Sequence, residues 1–103
     1  MNTQDYVVGI DIGTGSARAG LFDREGRLLA EAKTSIAMNR PAEHHVEQSS
    51  TDIWRAVCAA TRRALAEAKV APEAVTGMSV SATCSLVLLD ANHAPLALSL
   101  IHI

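Results

Sequence analysis

A short segment near the N-terminus combines the residue types needed to bind a metal-bound chain of phosphates. An apolar run, Tyr6–Ile10, leads into Asp11, and a glycine-rich stretch followed by Arg18 comes next. A carboxylate binds Mg²⁺ directly or through water, and a guanidinium offsets the charge of phosphate oxygens. Successive backbone amides in such a turn can form a concave anion site, to which Thr14 and Ser16 add hydroxyl donors. The predicted site therefore comprises Asp11 for the metal and, for the phosphates, Gly13, Thr14, Gly15, Ser16 and Arg18.

The spacing predicts that the two charged residues share one side of a β-hairpin. If residues 13–16 form the loop, Ile12 pairs with Ala17 and Asp11 pairs with Arg18. Opposed residues of an antiparallel pair point to the same face of the sheet. The two glycines of the loop, Gly13 and Gly15, allow positive φ and let the backbone approach an anion closely.

A plain structural alternative explains the same residues. A surface hairpin with an Asp11–Arg18 ion pair and no ligand would have the same sequence pattern, because Asp and Gly are common in turns. The position of Asp11 at the end of an apolar strand favours the phosphate site, since a charge near a core is costly without compensation. A Rossmann G-x-G-x-x-G would require glycine at position 18, and no P-loop motif G-x-x-x-x-G-K-[ST] occurs in the chain.

Composition limits the domain count and the classes of partner. The chain has 103 residues, which is one domain at most, and 49% of them are hydrophobic, so it can bury a core. Its net charge is −2 and it has no Lys/Arg cluster, which argues against nucleic-acid and membrane-surface binding. Cys58 and Cys84 lack metal-ligand spacing, and with no secretory signal they predict reduced thiols and a cytoplasmic location.

The hydrophobic pattern predicts an α/β fold. Tyr6–Ile12 is continuously apolar, as expected for a strand covered on both faces, and Ala17–Asp23 and Arg27–Ile36 complete a three-stranded meander. Residues 37–48 have no clear period and contain a proline, which predicts a loop. The predicted order continues with a helix that begins at the N-cap Ser49 and ends at Pro72. Val75–Asp90 follows as one strand, or as two short strands broken near residues 82–85.

The order β-β-β-α-β with a parallel crossover gives a mixed sheet. This arrangement is typical of the start of a ribonuclease H-like domain, the fold of actin-like ATPases and sugar kinases. Ile53, Val57 and Ala60 mark the apolar face of the helix, and Trp54 beside them is predicted to be a core anchor.

Three segments together resemble the N-terminus of the FGGY carbohydrate kinases. These segments are the hairpin motif of residues 9–18, the stretch His45–Trp54 that leads into the helix, and residues 77–90. The resemblance covers about residues 6–99. The Ala-Thr-Cys-Ser sequence at positions 82–85 is similar to the branch that phosphorylates D-ribulose and related pentuloses or pentitols, although Ser81 stands where that branch has aspartate.

The resemblance implies an ATP- and Mg²⁺-dependent sugar kinase. Asp11 would serve the metal and the phosphates, Thr14 and Arg18 the γ-phosphoryl group, and the sugar would lie near Thr83, Cys84 and Ser85. Small-residue packing beneath a helix is the alternative for residues 82–85. The family's catalytic base and adenosine site lie downstream, so the chain alone is expected to be a poor catalyst or none.

The resemblance also leads to expectations about organisation. Residues 1–99 are expected to be a partial N-terminal kinase domain, with 100–103 an atypical tail outside the native domain. The expected partners are a small sugar and ATP, and a homo-oligomer is left open. A non-sugar ATPase of the actin fold, such as an Hsp70-like chaperone, is the alternative function, as is an inactive truncated fragment; Arg18 and Glu47-Gln48-Ser49 disfavour the chaperone.

Overall fold

Three antiparallel strands form most of the four-stranded main sheet. A computed structural model describes residues 5–42, 45–82, 89–94 and 99–102. Strands β1 (Tyr6–Ile12), β2 (Ser16–Phe22) and β3 (Leu28–Ser35) pair in sequence order, which confirms the predicted meander. The turn between β2 and β3 contains Gly26 at φ 85°, a conformation that glycine adopts without strain.

Two short strands occupy the segment that the sequence predicts to be a loop. These strands, β4 (Asn39–Ala42) and β5 (His45–Gln48), pair with each other in an antiparallel arrangement, so the loop prediction is wrong. Such short strands are specified by pairing with other segments rather than by an apolar repeat of their own, and Pro41 is tolerated because β4 lies at a sheet edge.

One long helix, α1 (Ser50–Ala68), covers one face of the meander. The Ser49 hydroxyl accepts a hydrogen bond from the Asp52 N–H at 3.3 Å, as the predicted N-cap requires. The helix ends at Lys69, whose left-handed φ of 58° lets its N–H bond back to the last turn.

A fourth strand completes the main sheet beside β1. After a 3₁₀ turn at Pro72–Ala74, strand β6 (Val75–Ala82) runs parallel to β1. The strand order is β3-β2-β1-β6, so the sheet is mixed and the predicted β-β-β-α-β order is confirmed for these elements. Strand β7 (Ser99–His102) pairs with β5, giving a second, three-stranded sheet of order β4-β5-β7.

The core lies between α1 and one face of the main sheet. Small residues meet across it, since Ala17 and Ala19 of β2 and Ala60 and Ala64 of α1 are almost fully buried. Small side chains on both surfaces allow the helix to lie close to the strands, and the close-packed contacts between them contribute dispersion energy.

The other face of β1 is open in the described residues, which corrects one expectation. Val8 and Ile10 are buried, but Val7 and Asp11 are exposed, so β1 is covered on one face only within these ranges. The core prediction for Trp54 is also wrong, because its side chain is 67% exposed. Trp54 lies at an apolar groove of about 400 Å³ between α1 and β6 that includes Met78 and Val80.

Candidate phosphate-binding site

The β1–β2 hairpin has the register that the sequence predicts. Asp11 lies opposite Arg18, and Ile12 lies opposite Ala17. The Gly13 N–H donates a hydrogen bond of 2.9 Å to the carbonyl of Ser16 and closes the loop. The pairing is therefore confirmed, and the loop consists of the residues named for phosphate binding.

The two charged side chains lie on the face of the sheet away from α1. Arg18 Nη1 is 3.7 Å from Asp11 Oδ2, and their side chains are 49% and 56% exposed. Because both groups are solvated, the carboxylate does not incur the cost of burial that the sequence argument assumed. Half-exposed charges at this distance remain available to a metal ion and to phosphate oxygens.

A shallow cavity of about 360 Å³ adjoins this ion pair. Ser81 of β6 is level with Asp11, and Ser79 is level with Gly9, because β1 and β6 run parallel in register. The cavity combines two carboxylates, one guanidinium and two hydroxyl groups over a floor of glycines; its polar lining residues are Asp11, Arg18, Glu31, Ser79 and Ser81. These groups can bind a cation, accept or donate hydrogen bonds and neutralise an anion side by side.

The loop glycines act through the absence of a side chain rather than through backbone conformation. Among the described glycines only Gly26 has positive φ, so Gly13 and Gly15 do not use the positive φ that glycine allows. A Cβ atom placed on Gly15 would meet nothing within 4 Å, and one on Gly13 would lie 3.5 Å from the Ser16 carbonyl oxygen. The loop is therefore open on the Gly15 side, where another molecule can approach its backbone.

Two contacts hold the loop against the rest of the fold. The Ile36 N–H donates to the Gly15 carbonyl at 2.9 Å, and the side-chain amide of Gln48 donates to the Thr14 carbonyl. Gln48 is 1% exposed, so its side chain is buried, although Thr14 itself is exposed. The sequence argument missed its role, because a glutamine in a polar segment gives no sign that it will be buried.

Comparison with known proteins assigns the chain to a family. The sequence profile described as "FGGY family of carbohydrate kinases, N-terminal domain" matches residues 6–101. The chain belongs to the FGGY family. This membership confirms the resemblance that the hairpin, the segment leading into the helix and residues 77–90 predicted.

Relatives of this FGGY chain include a carbohydrate kinase domain-containing protein and a D-ribulokinase. It is 45% identical over 91 residues to the human FGGY carbohydrate kinase domain-containing protein, covering 88% of this chain and 16% of that protein. It is 42% identical over 88 residues to a D-ribulokinase of Saccharomyces cerevisiae, covering 85% of this chain and 12% of that protein. The chain thus spans about a sixth or less of the length of these relatives.

Solved structures of sugar kinases share its fold. A gluconate kinase from Lactobacillus acidophilus superposes with a TM-score of 0.85 at 21% identity, over 94% of this chain and 19% of that one. A glycerol kinase from Plasmodium falciparum with ADP superposes with a TM-score of 0.76 at 11% identity, over 95% of this chain and 20% of that one. At these identities the likeness concerns the fold, which is that of actin-like ATPases, as predicted.

The structure brings together some of the residues predicted for the FGGY site. Asp11 and Arg18 line one cavity, and Thr14 is exposed on the adjoining loop, whereas Ser16 is buried at 8% exposure. Thr83, Cys84 and Ser85, predicted to face the sugar, lie outside the described residues. No helix within the described ranges is long and apolar enough to cross a membrane.

Proposed function

We propose that this chain supplies the triphosphate-binding hairpin of an ATP-dependent carbohydrate kinase. The observation that carries the proposal is the pairing of Asp11 and Arg18 at 3.7 Å, half exposed, beside a loop open at Gly15. Family membership supports it independently, because the matched family is one of carbohydrate kinases.

Each residue has a proposed role in transfer of the γ-phosphoryl group to a sugar hydroxyl. Asp11 holds Mg²⁺, directly or through water, and Arg18 offsets charge on the phosphoryl oxygens. The loop from Gly13 to Ser16 binds the phosphates through backbone amides other than that of Gly13, which the Ser16 carbonyl already engages, and through the exposed hydroxyl of Thr14. Catalysis of this type depends mainly on positioning and charge stabilisation, which these groups can provide together.

The donor set fits magnesium. Mg²⁺ commonly binds one or two carboxylates together with substrate phosphates and water, rather than a cage made of protein ligands alone. In the described ranges no three acidic, histidine or cysteine side chains converge on one point, so a single carboxylate next to a phosphate loop is the relevant pattern. The exposed Asp11 carboxylate satisfies it.

The proposed acceptor is a pentulose or pentitol, with D-ribulose as the first candidate. The similarity to a relative named D-ribulokinase supports this choice, as does the Ala-Thr-Cys-Ser sequence at positions 82–85. Thr83, Cys84 and Ser85 are proposed to contact the sugar. We further propose that residues 1–99 belong to the kinase domain and that the kinase acts in the cytoplasm.

The test uses the longest polypeptide encoded by the reading frame that contains these residues, called here the full-length polypeptide. ATP consumption is measured with D-ribulose, ribitol, D-xylulose, glycerol and an unfolded peptide as separate stimulants. We expect D-ribulose or ribitol to stimulate it most. Stimulation by unfolded peptide alone would contradict the proposal and indicate an Hsp70-like ATPase.

A further inference from the structure

A buried glutamine outside the predicted site contacts the phosphate loop directly. The Gln48 side chain is 1% exposed, and its amide nitrogen donates to the Thr14 carbonyl, 34 residues away in sequence. A backbone carbonyl can only accept, so the orientation of the Gln48 amide is fixed by its partner. A buried polar group holds its hydrogen-bond partner firmly, because breaking the bond leaves the buried Gln48 amide unsatisfied.

We propose that Gln48 is a positioning residue that aims the Gly15 N–H at the phosphates. The peptide bond is planar and trans, so the Thr14 carbonyl and the Gly15 N–H point in opposite directions. Because the carbonyl is directed at buried Gln48, the N–H is directed away from it. A Cβ atom at Gly15 would meet nothing within 4 Å, so the backbone beside this N–H is open to an approaching molecule.

The position of Gln48 in the fold is suited to this role. It is the last residue of β5, where it pairs with Ser99, and it immediately precedes the Ser49 cap of α1. The helix in turn packs on β2 and β3. Gln48 therefore links the loop to the best-packed part of the molecule.

A second bond restrains the next peptide in the loop. The Ile36 N–H donates to the Gly15 carbonyl at 2.9 Å. The carbonyls of both Thr14 and Gly15 are thus engaged by the protein, which keeps these partial negative charges from turning freely toward an approaching phosphate. Preorganised donors of this kind stabilise charge without reorganisation during the reaction.

The inference rests on the proposed function, and its first test is kinetic. Gln48→Met keeps the length of the side chain and removes the donor. In the full-length polypeptide we expect kcat to fall at least about tenfold, because small displacements of positioning groups are costly to rate. The KM for the sugar should stay within about twofold, since the loop is proposed to contact the phosphates and the sugar is proposed to lie near residues 83–85. An unchanged kcat in an active enzyme would overturn the inference.

A matched control removes a hydrogen bond of similar kind elsewhere. The Thr61 hydroxyl donates to the Val57 carbonyl at 2.8 Å inside α1 and is partly buried. Thr61→Val keeps the shape and deletes that bond. We expect it to leave kcat unchanged, and an equal loss of kcat in both variants would assign the effect to general destabilisation and overturn the inference.

The second test does not depend on sugar phosphorylation. The amide resonance of Gly15 is followed in the present chain by ¹H–¹⁵N NMR while inorganic tripolyphosphate is added. We expect the Gly15 signal to shift in the wild type and in Thr61→Val, and to lose most of this response in Gln48→Met. An unresponsive Gly15 in the wild type, or an equal response in Gln48→Met, would refute the positioning role. Failure of the kinase assay with a positive NMR result would refute the proposed function alone.

Discussion

Replacement of Asp11 by alanine separates the two interpretations of the hairpin. If the Asp11–Arg18 pair is only a surface ion pair, Asp11→Ala removes a small stabilising contact and nothing else. If Asp11 holds the metal of a phosphate site, the variant stays folded and loses turnover. The first interpretation predicts a small change in Tm with kcat unchanged, and the second predicts a large loss of kcat.

The stability cost of Asp11→Ala follows from the distance and the exposure. At 3.7 Å, two unit charges in a water-like dielectric interact by about 1 kcal/mol. Because both side chains are about half exposed, screening reduces this value, and measured exposed pairs contribute roughly 0–1 kcal/mol. For a domain of this size, 1 kcal/mol corresponds to a change of about 4–8 °C in Tm, which is therefore the upper limit expected.

The expected loss of turnover is much larger. Removal of a group that stabilises charge at a reacting phosphoryl costs on the order of 10²–10³ in kcat or more, which is about 3–4 kcal/mol. The assay measures kcat at saturating sugar and MgATP in the full-length polypeptide, with thermal unfolding of the same sample. A variant that keeps kcat within about threefold of the wild type would refute the proposed role of Asp11.

Asp23→Ala is the matched control. The Asp23 carboxylate accepts hydrogen bonds from the Glu25 N–H, the Arg27 N–H and Arg27 Nε, at 2.9, 2.9 and 2.8 Å, in a turn that does not line the cavity. We expect this variant to lower Tm and to leave kcat unchanged, which is the reverse of the pattern expected for Asp11→Ala.

Two further predictions concern the fold. Ala60 is fully buried between α1 and the sheet, so Ala60→Leu should overpack the core, lower the free energy of unfolding by about 1–3 kcal/mol and lower Tm. The control Ala66→Leu, on the exposed side of α1, should leave Tm unchanged. Equal Tm values for the two variants would contradict the packing described. The hydrogen bond from the Arg27 N–H, reinforced by the Arg27 side chain, holds the pKa of Asp23 below its ordinary value of 3.8. The stabilisation by Asp23 should therefore be complete above about pH 5 and be lost as the pH falls through the lowered pKa. The Tm difference between the wild type and Asp23→Asn should narrow below about pH 4. A Tm difference that stays constant down to about pH 2 would contradict this prediction.

The hairpin was predictable because its determinants are local. A strand that ends in Asp11, a loop of small residues and a return strand through Arg18 define a register without help from distant segments. The same holds for the start of α1, where the Ser49 side chain and the Asp52 N–H are three residues apart. Patterns of this length can be interpreted from sequence alone.

The errors arose where distant parts of the chain decide the structure. Strand β5 pairs with β7 some 50 residues later, so residues 45–48 show no periodicity of their own. The exposure of Trp54 depends on what lies over the groove beside β6, and the burial of Gln48 depends on the loop it meets. The open side of Gly15 depends on tertiary packing that its own sequence neighbours do not reveal.

The most direct test of the central claim is a crystal structure of the full-length polypeptide with Mg²⁺ and a non-hydrolysable ATP analogue. We predict that the triphosphate contacts the backbone amides of residues 14–16, with the metal next to Asp11 and Arg18 near the terminal phosphate. A triphosphate bound elsewhere, with this hairpin facing solvent, would contradict the account.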